Sequence, residues 1–280
     1  MKYSFDHNID PSFYLWLDNL VIEKGEGFGY YSGALRKVTS PVSGFTSYAV
    51  PHRQLVYDFS VSGAAVPSGF YSGSAFVPTG AGAKVDYYNG QLLISGTAAG
   101  NMSMAYYYKE FNIYFTSSSE TEVLFENKFS TAPRFQPAFT GFSPRDVTYP
   151  CIFIKSSVGD NTQLCFGGET STLLPVRLTV LAENAYQYKA VTSLLRDSAR
   201  GFIPVLNPSE MPFDTTYSLK SGKFDYSSLV STVQTDCTRL AFIKSVRVSD
   251  FSDKVNSAVG PRVVGGFVDV DLELLRTLPV

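Results

Sequence analysis

Tyr87-Tyr88-Asn89-Gly90-Gln91-Leu92 lies between two apolar, β-favouring runs, and its reading decides the fold. Asn-Gly in that setting is the strongest short-range hairpin signal, because both residues of a two-residue turn must tolerate φ > 0. A turn closed there pairs Tyr88 with Gln91, Tyr87 with Leu92, Asp86 with Leu93 and Val85 with Ile94. Tyr87, Leu92, Val85 and Ile94 then share one face. Upstream run short segments punctuated by Gly and Pro, Val66-Pro67-Ser68-Gly69-Phe70-Tyr71-Ser72-Gly73 and Phe76-Val77-Pro78-Thr79-Gly80-Ala81-Gly82. This is the pattern of a β-rich, loop-decorated structural domain and not of a cofactor-binding enzyme.

Working outward, Phe13-Tyr14-Leu15-Trp16-Leu17-Asp18-Asn19 reads as a first strand, with Phe13, Leu15 and Leu17 on one face. Gly25-Glu26-Gly27-Phe28-Gly29-Tyr30-Tyr31-Ser32-Gly33 is a glycine-spaced loop or a bulged strand. Residues 53–61 alternate cleanly and predict a strand, as do 102–115 and 122–129. Pro133, Pro137, Pro144 and Pro150 mark the interval 130–150 as a connector or an excursion at a subunit contact. Apolar β-runs resume at 151–154, 163–166 and 173–181.

One helix is predicted at about 184–200. Asn184 is its N-cap, Tyr188, Val191, Leu194, Leu195 and Ala199 form the apolar stripe, and Gly201 is placed to stop it. A returning strand at 202–206 completes a strand–helix–strand unit. Residues 237–251 carry Phe242, Val246 and Val248 in phase, but Lys244 interrupts that face, so a bulge or an exposed stretch is expected there. Residues 267–274 are nearly ideal, with Val268, Val270, Leu272 and Leu274 inward and Asp269, Asp271 and Glu273 outward. The fold class expected is mainly β (α+β), with β-sandwich-like sheets, long loops and one substantial helix. The expected organisation is an N-terminal β-rich half at 1–129, a Pro/Phe-rich connector at 130–150 and a C-terminal half at 151–280.

Bulk properties agree. A chain of 280 residues buries a substantial core. Aromatics reach 15% against 17% charged residues, which suits sheets covered by their own loops or by neighbouring subunits. A net charge of -2 argues against a dedicated nucleic-acid binder, though not against a protein that lets DNA pass along a lumen. Cys151, Cys165 and Cys237 form no Cys-x-x-Cys pair and read as buried, reduced thiols. The first residues lack the regions of a secretory signal and no run is long enough to span a membrane, so a reducing cytoplasm is the expected site of synthesis.

Enzymatic constellations give way to plainer readings. His7 and His52 read as turn histidines, since no Gly-x-Ser-x-Gly elbow accompanies them. Gly80-Ala81-Gly82-Ala83-Lys84 lacks the spacing and the Ser or Thr of a phosphate loop, and 25–29 lacks the third glycine of a dinucleotide fingerprint. Asp86, Glu110, Glu120, Glu122 and Glu126 are candidate glycosidase carboxylates, but sequence spacing does not show that they converge. Asp269, Asp271 and Glu273 share one strand face; a cation site is conceivable, and the polar side of an amphipathic strand explains the row fully. Tyr106-Tyr107-Tyr108 with Tyr30, Tyr31, Tyr87 and Tyr88 supplies either a stacking platform for sugars or bases or, preferred here, an oligomer interface. Phe135, Phe139, Phe142 and Tyr149 are expected to be covered by a neighbouring subunit, because an irregular segment does not bury such rings by itself. No catalytic residue, metal ligand or cofactor is expected.

Several pieces together resemble virion structural proteins of the head-to-tail neck of contractile-tailed bacteriophages. They are 13–19, 53–63, Pro67-Ser68-Gly69-Phe70-Tyr71, the hairpin 86–95, the helix 184–200 and the end 269–274. The likeness is one of sequence style across most of the chain and transfers no catalytic residues. It implies a non-enzymatic subunit of a homo-oligomeric, hexameric or dodecameric ring. The ring would be assembled in the host cytoplasm and joined to other neck and tail proteins in the virion, with DNA passing through it and no membrane contact. A tail terminator, tail-tip protein or capsid-surface protein, with glycan binding through the Tyr/Gly-rich loops, is the alternative that the resemblance leaves open.

Overall fold

The computed structural model describes residues 6–80, 82–98, 100–125, 149–163, 169–235, 239–259 and 263–277. The chain opens with helix α1 (Asp6–Asn19), which runs on through a π-helical turn (Leu20–Lys24). Three short strands follow, β1 (Phe28–Ala34), β2 (Arg36–Val38) and β3 (Phe45–Ala49). After a long irregular stretch come β4 (Gly69–Ser72), β5 (Ala75–Pro78), β6 (Ala83–Asp86), β7 (Gln91–Ser95), β8 (Met102–Lys109) and β9 (Asn112–Phe115). The second part comprises α2 (Glu120–Phe125), β10 (Cys151–Ser156), β11 (Asp160–Gln163), β12 (Glu169–Ala182), α3 (Ala185–Asp197), β13 (Phe202–Pro204), α4 (Tyr226–Val233), β14 (Leu240–Asp250), α5 (Asp253–Val259) and β15 (Val264–Thr277). Strand makes up 42% of the structure and helix 22%, so the fold is mainly β of the α+β kind.

Three sheets organise it. One orders β1-β8-β4-β5, a second β2-β3-β7-β6, and the largest β13-β14-β15-β12-β10-β9 with β11 added along β12. The largest sheet is antiparallel except where β9 and β10 run parallel, one from each side of the expected connector 130–150, most of which (130–148) lies outside the described residues. A single cluster of buried side chains runs from Ile9 through Leu92 and Ile113 to Leu178 and Leu274.

Contrary to the expected strand, residues 13–19 are helix. Asn8, Ile9, Ser12, Phe13, Tyr14, Leu15, Leu17 and Asp18 are all buried, so α1 is covered on nearly every side and shows no polar stripe to betray its period. Ser12 Oγ donates back to the Asn8 carbonyl and accepts the Leu206 amide, which ties the helix to the chain beyond β13. The predicted single substantial helix is therefore joined by a second of 14 residues. Residues 122–125 are likewise helical. Ser119 and Glu122 cap each other's amides at the start of α2, a reciprocal box that outweighs the β-like composition.

Residues 53–61 are not a strand either. Gln54, Leu55, Val56 and Tyr57 are consecutively buried, which an alternating surface strand does not permit. The segment threads between sheets and bonds to both neighbours: the Leu55 amide donates to Tyr87, the Val56 amide to Tyr107, and Lys109 donates to the Gln54 carbonyl. The Gln54 amide side chain clamps Ile113, donating to its carbonyl at 2.8 Å and accepting from its amide at 3.0 Å. It supplies the backbone-like bonds that a buried irregular segment needs.

The opening hairpin exists but its register differs. Asp86 pairs with Gln91 and Val85 with Leu92, leaving a four-residue loop, 87–90. The cause is Asp86, whose carboxylate accepts from the amides of Tyr88 and Asn89 and from the Asn89 side chain. A shift of two residues preserves face parity, so Val85, Leu92 and Ile94 still share a side.

In the C-terminal part, α3 starts where predicted. Asn184 Oδ1 accepts the Gln187 amide at 2.9 Å, and the Gln187 side chain accepts the Glu183 amide. Its left-handed terminating residue is Arg200 (φ 68) and not Gly201. Asn184→Ala is expected to cost about 1 kcal/mol, read as a lower urea midpoint at unchanged m-value. An unchanged midpoint would remove the cap from the account. The β15 alternation holds, with Val268, Val270, Leu272 and Leu274 all buried. The irregularity expected at Lys244 appears as a register shift between Ile243 and Ser245. Before it the inward residues are Ala241 and Ile243, and Phe242 faces outward.

Candidate functional site

Strand parity sorts the tyrosines. In β1 paired with β8, Tyr30 stands opposite Tyr107 and Tyr31 opposite Tyr106. Successive side chains alternate between faces, so Tyr31, Tyr106 and Tyr108 point inward and enclose His52. The imidazole stacks on Tyr108 at 3.6 Å between ring centroids, meets Tyr31 edge-on, and its Nδ1 lies 2.8 Å from the Tyr106 hydroxyl. His52 is thus a buried packing residue, not a turn histidine; the His7 side chain lies outside the described residues. Burial pushes the Tyr106 hydroxyl's pKa well above the ordinary phenol value.

The opposite face is covered at one end, where Phe28 and Tyr107 pack against Ile22, Val56 and Val61, and open beyond it. Tyr30 is 60% exposed and Tyr107 half-buried, their rings 5.2 Å apart. On the far strands Tyr71 (43% exposed) pairs with Phe76 (51% exposed), their rings 5.3 Å apart. Tyr71 stands opposite Ser103, four positions from Tyr107 on β8 and on the same face, so the two pairs lie about 13 Å apart along the strands. Between them the floor is Ser32, Ala34, Ser103 and Ala105. Phe76 folds over Gly69, where a Cβ would come within 2.5 Å of its ring. The face is aromatic and without a charged side chain among these residues. It brings together two segments noted in the sequence for their glycines and tyrosines, 25–33 and 66–82. Phe76 is its unforeseen member; the period-2 pattern marks it only once the strand pairing is known.

The other expected sites resolve differently. On the outer side of β15, Asp269 accepts both Nε and an Nη of Arg177, which also contacts Glu120. Asp271 accepts from Ser245 and lies 3.0 Å from Arg247, while Glu273 accepts from Ser171 and lies 3.4 Å from Lys244. The acidic row is thus the polar side of a sheet zipped to basic neighbours. The partner carboxylates hold Arg177 more firmly protonated than usual. Among the described residues no group of three His, Cys, Asp or Glu is placed to hold a metal ion. Tyr149 is half-buried against the cluster of Tyr114, Cys151 and Phe153 in its own chain. Cys151 is fully buried and its thiol pKa is raised by that burial. Phe135, Phe139, Phe142, Cys165 and Cys237 lie outside the described residues.

An apolar cavity of about 320 Å³ lies between α1 and the loop 211–217, lined by Tyr14, Tyr88, Phe115, Phe213 and Tyr217 among others, with no charged side chain. Among the described residues no helix is long and apolar enough to cross a membrane. No protein-family model matches this chain, and no curated protein is significantly similar to it.

Proposed function

We propose that this chain is a non-enzymatic phage virion structural protein, a neck or connector ring subunit joining head to tail around the DNA channel. The observation that supports it is the sheet face on which Tyr30, Tyr71 and Phe76 are exposed, with Tyr107 partly buried beside Tyr30. Large uncharged aromatic faces are usually covered by a partner, and tyrosine is enriched in such contacts. Covering these half-exposed rings contributes about 1–2 kcal/mol each. The resemblance to neck proteins supplies the setting, and a neighbouring copy in the ring supplies the cover.

Imaging of assembled particles tests the reading. The protein is expected in the neck, with these four rings buried against the next copy. Absence from purified virions overturns it. With the purified chain, Tyr30→Ala/Phe76→Ala is expected to weaken self-association at least tenfold by sedimentation without altering the circular dichroism spectrum.

A second reading has its own support. Two aromatic pairs flanking a hydroxyl-bearing floor also suit stacking of sugar rings, which would make the face glycan-binding on a tail or capsid surface. A chain that stays monomeric and binds glycans on an array, losing this on Tyr30→Ala or Tyr71→Ala, would favour that reading over the ring.

A further inference from the structure

Away from the aromatic face, a cavity of about 510 Å³ opens between β6, the turns at 66–68 and 79–80, and the loop 214–223. Its charged lining consists of Lys84, Lys220, Lys223 and Asp214, and Phe59 stands at the same cavity with 44% of its surface exposed. We propose that this cavity binds a nucleotide unit, with its phosphate held by the lysines and its base stacked on Phe59.

The charge balance carries the argument. Several basic groups elsewhere are set against carboxylates: Arg177 on Asp269 and Glu120, Arg247 on Asp271, Arg239 on Glu210, Lys109 on Asp18. Here three ammonium groups share one carboxylate. Asp214 is already engaged, accepting through Oδ1 from the Thr216 amide and hydroxyl and the Ser218 amide, and through Oδ2 from Lys84 at 2.9 Å. Burial alone would raise its pKa, but these hydrogen bonds outweigh burial and hold it at about 2, so it stays ionised and fixes Lys84 in place. Lys84 directs one of its three N–H groups there, and Lys220 makes only a long contact, 3.4 Å, to the Pro208 carbonyl.

The neutral wall offers few donors. Ser218 donates its hydroxyl to Val85 and Thr79 donates its own to Ser68. What the cavity presents is therefore a lining that carries three ammonium-bearing side chains with spare donors, which suits the oxygens of a phosphate. An exposed phenyl ring beside such a cluster adds the stacking surface found where single nucleotides are held. The assignment stands whether or not the chain is a neck subunit.

Fluorescence anisotropy and calorimetry with three probes test it: inorganic phosphate, ATP and a short single-stranded DNA. The expected result is binding of ATP or DNA that Lys220→Ala/Lys223→Ala weakens by about tenfold or more, with the slope of log K against log salt for DNA flattened by about two. Phe59→Ala is expected to weaken both organic probes, and Lys189→Ala on α3 to leave them unchanged. Tighter binding of DNA than of ATP assigns the source as a DNA strand, and the reverse order a free nucleotide. Both lysines are exposed, so the double variant is expected to fold, as circular dichroism will register. Equal affinity of the wild type and the double lysine variant overturns the proposal. So does binding of inorganic phosphate as tightly as ATP.

Discussion

Lys109→Met is expected to destabilise the protein by about 3–5 kcal/mol, the cost of stranding one member of a buried ion pair. Lys109 ends β8 and its side chain is 2% exposed; Nζ lies 2.7 Å from Asp18 Oδ1, and the Asp18 side chain is 3% exposed. The ammonium also sits over the Tyr57 ring at 4.5 Å and the Tyr14 ring at 5.6 Å. Desolvation by burial pushes the Lys109 pKa down, and the Asp18 charge opposes that shift. Without the cation, Asp18 keeps only neutral support, including the Tyr57 hydroxyl, in a site closed to water.

The pair joins the buried helix α1 to the first sheet, so its loss is expected to appear as global unfolding and not as local fraying. Urea titration of Lys109→Met, Asp18→Leu and the double variant separates the terms. The double variant should recover most of the loss, because two apolar groups leave no charge stranded. A single-variant loss below about 1 kcal/mol would mean that water reaches the site, contrary to this account.

Gly90→Ala is expected to cost about 2–5 kcal/mol, through two causes that a control separates. Gly90 holds φ +64, where an L side chain is strained, and a Cβ built there would lie 2.2 Å from the His52 carbonyl oxygen and 2.7 Å from that of Arg53. The hairpin loop is pressed against the backbone of 50–53, with the Val50 amide donating to the Gly90 carbonyl at 2.9 Å. Gly96 has a similar φ of +77 but meets nothing within 4 Å. Gly96→Ala should therefore cost only the conformational part, about 1–2 kcal/mol. Equal losses at the two positions would show that close backbone approach is not what demands glycine at Gly90.

Several local elements were legible because they depend on groups a few residues apart. Asn184 and Gln187 cap α3 from within one turn. The alternation of β15 is visible because one of its faces is buried and the other is charged. Lys244 betrays the bulge, since the inward face passes from Ala241 and Ile243 to Val246 and that change of phase needs one extra residue, which Lys244 supplies in the open. The candidate site was half legible: both glycine- and tyrosine-rich segments stood out, but not that they share a sheet.

Composition and local pattern alone determined that the chain is mainly β, where α3 and β15 lie, and that a turn falls near Asn89-Gly90. The tertiary structure alone decided that 13–19 is helix, because burial on all sides removes the polar stripe that would reveal the period. It alone decided the path of 53–58, whose backbone bonds go to Tyr87 in the hairpin loop and to Tyr107 on β8, both distant in sequence. It also decided which tyrosines meet solvent. Strand alternation puts neighbours such as Tyr30 and Tyr31 on opposite faces, but which face is covered depends on what packs there, His52 and the core on one side and no described part of the chain over Tyr30 on the other.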